Sequence, residues 1–239
     1  MTTAQKHYEQ LLAPIYVWMA GGVESALAAG TQDVAPLTPG DGLAIDLGAG
    51  FGMHAIPLAR AGYEVVALDT SHELLDLLRA NSTGLPIRIV EADLLDFRGH
   101  VSTAASLIVC LGDTLTHLES TDDVERLVRD VAASLRPGGR FVVTFRDYMH
   151  PATGDARFIP VRSDANRIHT CFLEEQPDRM LVHDIVHERD GATWRMKISS
   201  YPKLRLAPVA VAETLRYAGL EPTIAPGARG MVRITAVRP

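Results

Sequence analysis

Three glycines at alternate positions, Gly48, Gly50 and Gly52, follow directly on the apolar run LAIDL (43–47), which carries one acid, Asp46. Glycine lets the backbone turn sharply and lie against a ligand. A strand that ends in such a turn, with a helix opening behind it, is where α/β proteins hold nucleotides. A dinucleotide site asks for G-x-G-x-x-G, with the pyrophosphate resting on the helix N-terminus, but here the third position is Met53. The Asp46 carboxylate would repel a pyrophosphate and could hold an ammonium group. The electrostatics therefore ask for a ligand that is cationic near the loop, and S-adenosylmethionine, with an ammonium and a sulfonium, meets this better than NAD. Two more acids follow. Asp69 lies 21 positions after Gly48, the spacing at which a carboxylate accepts both ribose hydroxyls. Asp93, in EADLLDF, is set to accept from an adenine amino group, with the Leu94 N–H donating to the ring.

Positioning these groups takes alternating elements. LAIDL, EVVALD, IRIVEAD, ASLIVCL and RFVVTF read as strands. Between them GMHAIPLARAG reads as a helix closed by glycine, SHELLDLLRAN as a helix capped by Ser71, and STDDVERLVRDVAASL as a helix ended by RPGG. Near-continuous apolar strands separated by helices indicate a parallel sheet covered on both faces. Residues 4–29 read as two short helices broken by Pro14 and by Gly21-Gly22. Beyond Asp147 the apolar and polar residues alternate, as in an antiparallel meander of about three strands, with HERDG (187–191) as a hairpin turn. A last helix, APVAVAETLRYAGL, and two strands complete the chain.

The stretches AIDLGAGFG, ALDTS, EADLLDF, SLIVCLGDTLTHL and LRPGGRFVVTF resemble the class I (Rossmann-like) SAM-dependent methyltransferases over roughly residues 43–146. The resemblance implies a doubly wound, seven-stranded, mostly parallel sheet with N-terminal helices and an inserted antiparallel β layer. The organisation expected is an N-terminal helical lid (1–37), a SAM-binding core (38–147), an antiparallel insertion over the substrate (148–204) and a C-terminal completion of the sheet (205–239). Carried over, Gly48 and Gly50, with Ala49 between them, line the methionine moiety. Asp69 and Thr70 then lie at the ribose, Asp93 and Leu94 at adenine, and Leu111 and Gly112 beside the transferable methyl. Asp46 completes the set. Tyr16 and Trp18 are expected to close over cofactor or substrate, although aromatics on a short amphipathic helix also serve plain packing.

Displacement at a sulfonium needs alignment and exclusion of water more than acid catalysis; a neutral amine or phenol acceptor also needs a base. His117, just after the fourth strand, is the best placed titratable group, and Arg146 and Tyr148 in FRDYMH complete the catalytic candidates. Each has a plainer alternative: pocket lining for His117, and an ion pair with Asp147 for Arg146. Asp113 could orient a cationic or hydroxylated acceptor or cap the next segment, and His150 stands at the same edge. His169 with Cys171, and His183 with His187, share strand faces only through the two-residue strand period, so no metal is expected. Asp122 and Asp123 read as first-turn helix charges.

Composition narrows the partners. The 239 residues carry a formal charge of −6, with no Lys or Arg run to track phosphates, which disfavours nucleic acid and anionic membrane. The fourth strand runs into LGDT rather than the Asn/Asp-Pro-Pro-aromatic stretch used on base amines. No window approaches a membrane span and the polar N-terminus lacks a signal-peptide core. Cys110 and Cys171 in strand-like runs read as buried thiols of a reducing cytoplasm. The acceptor is expected to be a small molecule, S-adenosyl-L-homocysteine the product, and the antiparallel layer offers an edge for a homodimer. Two other readings share the motifs: an NAD(P)-dependent oxidoreductase, opposed by Met53 and Asp46, and a non-catalytic SAM-binding partner protein.

Overall fold

Strands alternating with helices after residue 42 build one sheet. In a computed structural model, which describes residues 3–239, seven strands form it: β1 (Leu43–Leu47), β2 (Glu64–Asp69), β3 (Ile87–Glu91), β4 (Ala105–Cys110), β5 (Leu135–Phe145), β10 (Glu221–Pro226) and β11 (Val232–Val237). Their order is β10-β11-β5-β4-β1-β2-β3, and β11 alone runs antiparallel to its neighbours. Every residue of β4 is buried, because helices cover both faces. On one side α6 (Thr121–Ser134) and α7 (Pro208–Tyr217) pack Leu127, Val131 and Leu215 against Ile45, Ile108 and Val143. On the other α4 (Ala55–Arg60) and α5 (His72–Asn81) pack Ile56, Leu58 and Leu75 against Ala44, Val65 and Val109. Each such side chain contributes roughly 1.5–3 kcal/mol by leaving water.

The caps follow the sequence. Ser71 accepts from the Leu74 N–H at the start of α5. Ser120 accepts from the Asp123 N–H at 3.1 Å and donates to the Asp123 carboxylate at 2.7 Å, closing the first turn of α6. β5 begins earlier than RFVVTF suggests. RPGG is not a stop but a bulged strand entry, with Gly138 at φ +74° and its N–H on the Arg238 carbonyl.

The N-terminal region is more broken than two helices. α1 (Thr3–His7) passes into a π-helical turn (Tyr8–Leu12), a 3₁₀ turn (Ala13–Ile15) and α2 (Tyr16–Met19), and α3 (Val23–Val34) follows the Gly21-Gly22 corner. Pro14 lacks an N–H and crowds the preceding turn, so a regular helix cannot run through it. Among the described residues no single helix is long and apolar enough to cross a membrane.

The antiparallel layer has four strands, not about three: β6 (Phe158–Ser163), β7 (Arg167–Glu175), β8 (Arg179–Asp190) and β9 (Thr193–Leu204), paired in that order. β6 carries Pro160 and a register shift beside it; a proline cannot donate to the ladder and is tolerated at an edge, which is why FIPVRS does not announce itself as a strand. One face of this sheet turns to the N-terminal region, where Val186 packs on Leu11, Leu12 and Ile15.

Candidate active site

A cavity of about 270 Å³ opens at the carboxyl ends of β1, β2 and β4, beneath the N-terminal turns. Of the residues singled out by sequence, Tyr16, Gly48, Ala49, Gly50, Asp69, Thr70, Asp93, Leu94, Leu111, Gly112 and His117 line it.

The glycine loop is held by backbone. The N–H groups of Gly48 and Ala49 both donate to the Leu68 carbonyl, at 2.9 and 2.8 Å. Gly48 has φ +80°, and a Cβ there would stand 2.5 Å from Thr114 Cγ2; at Gly52 a Cβ would stand 2.3 Å from Leu78 Cδ1. Asp69 braces the loop from the next strand: its Oδ2 accepts from the Gly50 N–H at 2.8 Å and its Oδ1 from the Ser71 N–H at 2.9 Å. Burial raises its pKa, with the amides of Ser71 and Gly50 opposing. The amides of Ser71, Gly50 and Thr70 take part of its acceptor capacity; a carboxylate offers about four acceptor positions, so it can brace the loop and still receive a hydroxyl group. Asp93 caps the turn that follows β3, accepting from the Leu95 N–H at 2.9 Å.

The opposite end is aromatic. Tyr8 meets His117 edge-on, ring centroids 5.5 Å apart, and Tyr16 meets Phe51 at 5.9 Å. Burial lowers the His117 pKa well below 6.5, reinforced by the charges of Lys203 and His7, so the imidazole is neutral at neutral pH. Burial raises the phenols of Tyr8 and Tyr16 above 10, so both stay protonated.

Four expected site residues lie elsewhere. Trp18 faces the inserted sheet, its Nε1–H donating to Asp164 at 2.5 Å and its ring under the guanidinium groups of Arg162 and Arg167. Asp46 is buried in β1 behind the loop; neither oxygen finds a hydrogen-bond partner among the described residues. Burial pushes its carboxyl up to about 6, with His54 opposing and Asp69 adding. Arg146 is exposed, and its side chain reaches the Arg229 carbonyl rather than Asp147. Tyr148 is buried with Leu173, Met180 and Tyr201, its hydroxyl donating to Asp113. Asp113 itself neither orients an acceptor nor caps a helix with its side chain. It is buried at φ +76°, bound by Lys203, the Tyr148 hydroxyl and the Arg146 N–H. His150 is exposed beside Asp147.

Several residues escaped the sequence reading. Tyr8 lines the cavity, and its only signal was an aromatic on a helical face. Glu119 and Asp123 also line it, Asp123 doubling as a first-turn charge of α6. Tyr201 and Lys203, on β9, stand behind His117 and gave no local signal.

The ionisable groups on the cavity wall are the acids Asp69, Asp93, Glu119 and Asp123, two tyrosines, and His54 and His117; no Lys or Arg is among the described lining residues. Such a wall fits a sulfonium and ammonium ligand and opposes a pyrophosphate. The cradle that a Cβ at Gly48 would fill, and the spare acceptor positions on Asp69, fit the same group.

Residues 44–139 match the family described as "Methyltransferase domain". A glycine/sarcosine N-methyltransferase of Aphanothece halophytica is 29% identical over 106 residues, covering 44% of this chain and 40% of that one. A cypemycin N-terminal methyltransferase of Streptomyces sp is 31% identical over 157 residues, 62% of each chain. The chain thus spans less than two thirds of the length of these relatives. Among solved structures, DesVI of Streptomyces venezuelae superposes with a TM-score of 0.78 at 22% identity, covering 95% of this chain and 98% of that one. The SAM-bound amino pentose methyltransferase CalS10 of Micromonospora echinaspora gives 0.75 at 18% identity, covering 90% and 91%. The sheet order and the inserted layer are those of the class I methyltransferase fold.

Proposed function

We propose that this chain, a class I methyltransferase by its fold and by its domain at residues 44–139, transfers a methyl group from S-adenosylmethionine to the nitrogen of a small amine. The acid-lined, aromatic cavity, with no Lys or Arg among its described lining residues, carries this reading. An amine, its ammonium form and its methylated product are all welcome against tyrosine faces and carboxylates. A phenolate or carboxylate acceptor would meet four acids, with no lining Lys or Arg among the described residues to offset them. The glycine/sarcosine N-methyltransferase named above supports the same choice.

When bound, S-adenosylmethionine supplies a methyl on a sulfonium whose leaving group needs no proton. Gly48, Ala49 and Gly50 bring backbone to its methionine part, Asp69 and Thr70 receive the ribose hydroxyls, and Asp93 with Leu94 reads adenine. Leu111 and Gly112 border the transfer point, and Tyr8 and Tyr16 keep water from it. The neutral ring of His117 accepts the amine proton. Asp46, Trp18, Arg146 and Tyr148 support the walls without touching ligand. We assign the N-terminal turns and the inserted sheet the part of a lid, the two free thiols Cys110 and Cys171 favour a reducing cytoplasm, and the edge strand β9 is where two copies would pair.

Calorimetric titration with S-adenosylhomocysteine and, separately, NADH tests the cofactor. Binding of the former alone is expected; binding of NADH alone would overturn the assignment in favour of an oxidoreductase. Product formation with glycine, sarcosine, an amino sugar and a catechol then tests the acceptor, and turnover confined to the catechol would sink the amine.

A further inference from the structure

β9 does not line the cavity but meets its wall from behind, the Tyr201 ring packing on both His117 and Tyr8. The Tyr201 ring lies parallel to His117, planes 6° apart and centroids 5.3 Å apart, and stacks on His7 at 4.1 Å. Lys203 Nζ stands 5.7 Å from the Tyr201 centroid and is bonded to the Asp113 carboxylate. Both side chains are buried. His7 is fixed at both ring nitrogens, by Ser199 Oγ at 2.7 Å and Asp184 Oδ2 at 2.9 Å. The other Asp184 oxygen meets His169 Nε2 at 2.7 Å. The stack is therefore anchored on the far side as well.

We propose that β9 supplies the positioning residues of His117: Tyr201 fixes the plane of its ring, and Lys203 sets the charge beside it. The proposal rests on the reading of His117 as the acceptor of the amine proton. A ring free to rotate would present its nitrogen to the amine only part of the time, and parallel stacking between two anchored partners removes that freedom. An ammonium 5.7 Å from the ring that stacks on His117 makes a second cation on the imidazole costly, so the ring stays ready to receive a proton.

The groups facing His117 can be counted by element. β9 brings Lys203 and Tyr201, α1 brings His7, the turn after it Tyr8, and β8 brings Asp184. Lys203 and His7 disfavour the imidazolium and Asp184 favours it, while burial works with the cations. The wall that His117 shares also carries the acids Asp69, Asp93, Glu119 and Asp123. Lys203, itself paired with Asp113, is the lysine that acts on the imidazole from behind this wall.

The test is histidine-ring NMR on the full chain, with the His117 signal assigned by its loss in His117→Gln. In the unsubstituted protein it should remain neutral to well below pH 6.5. In Lys203→Met its midpoint should rise by about one pH unit, and Lys203→Arg should restore it. Tyr201→Leu should broaden or split the signal, whereas Tyr201→Phe, which keeps the ring, should not. Lys203→Met leaves Asp113 buried without its cation and can unfold the chain. The pair Asp113→Asn/Lys203→Met removes both charges and should still raise the midpoint, by less than the single change. A midpoint that stays put in both, or a Tyr201→Leu signal identical to the original, overturns the proposal. Calorimetry with S-adenosylhomocysteine on the same proteins separates the failures: no binding to the unsubstituted chain would sink the cofactor assignment and leave these shifts standing.

Discussion

The two ends of the cavity are built in opposite ways. At the cofactor end, Gly48–Gly50, Asp69 and Asp93 each sit at the end of one strand, and the bonds that fix them run from backbone to backbone or from a carboxylate to an amide nearby. At the acceptor end, Tyr8, His117, Tyr201 and Lys203 come from three distant stretches and are held by ring contacts and a buried ion pair. The first end is a property of the βα turn; the second exists only because the inserted sheet and the N-terminal turns meet over the fourth strand. The one end is thus fixed by bonds that all involve the main chain, and the other by contacts between side chains.

The most damaging single change should fall on the main-chain end. Gly48→Ala drives a methyl to 2.5 Å from Thr114 at a φ that L-residues avoid, and should weaken S-adenosylhomocysteine binding at least about 100-fold by calorimetry. If it binds normally, the backbone cradle is not where affinity arises. Asp69→Asn should cost roughly 10- to 30-fold, because the amide cannot accept at both positions while keeping the Gly50 brace.

The buried acids behind the two ends should respond to pH with opposite signs. Asp184, at the acceptor end, is raised by burial, but hydrogen bonds from His169 and His7 overcome this and bring it to about 2. A depressed carboxylate adds stability above its unfolded pKa of about 4, and that stability is lost as pH falls through the folded value. Denaturant melts should lose about 2 kcal/mol between pH 4 and 2, and Asp184→Asn should abolish that dependence. Asp46, at the cofactor end, is raised to about 6, so it costs nothing below pH 4 and a growing amount from pH 4 to 6. Asp46→Asn should therefore be more stable than the parent at pH 8, by about 2 kcal/mol, and no different at pH 4. Equal melts at pH 8 would mean that Asp46 is stabilised by a charge not yet identified. Smallest of all, Trp18→Phe should leave S-adenosylhomocysteine affinity unchanged within about twofold, since its indole faces Asp164 and two arginines rather than the cavity.

This contrast also explains what could be read in advance. The sheet, the glycine turn, Asp69 and Asp93 announce themselves because a strand period and a turn are local properties, complete within ten residues. Lys203 and Asp113 are 90 positions apart, and His7 and Asp184 are 177 apart; no spacing rule connects them. Trp18 and Tyr16 are two residues apart on one short helix, and only the packed structure tells which turns to the cavity. Asp46 looked like a ligand group because it precedes the loop, yet strand alternation turns its side chain into the protein. Pro160 hid a strand that exists because it lies at an edge.

The place of β11 has a consequence for the order of events during synthesis. It lies between β5 and β10 and pairs with Arg140–Phe145 through Val232–Val237. Until those residues have been made, one flank of β5 has no partner, and an open, apolar strand edge invites the wrong neighbour. The cofactor cradle needs none of these residues, whereas the sheet beneath it closes only once they pair with β5. That seam forms later than the cradle, and the interval before it is when the open edge most needs shielding.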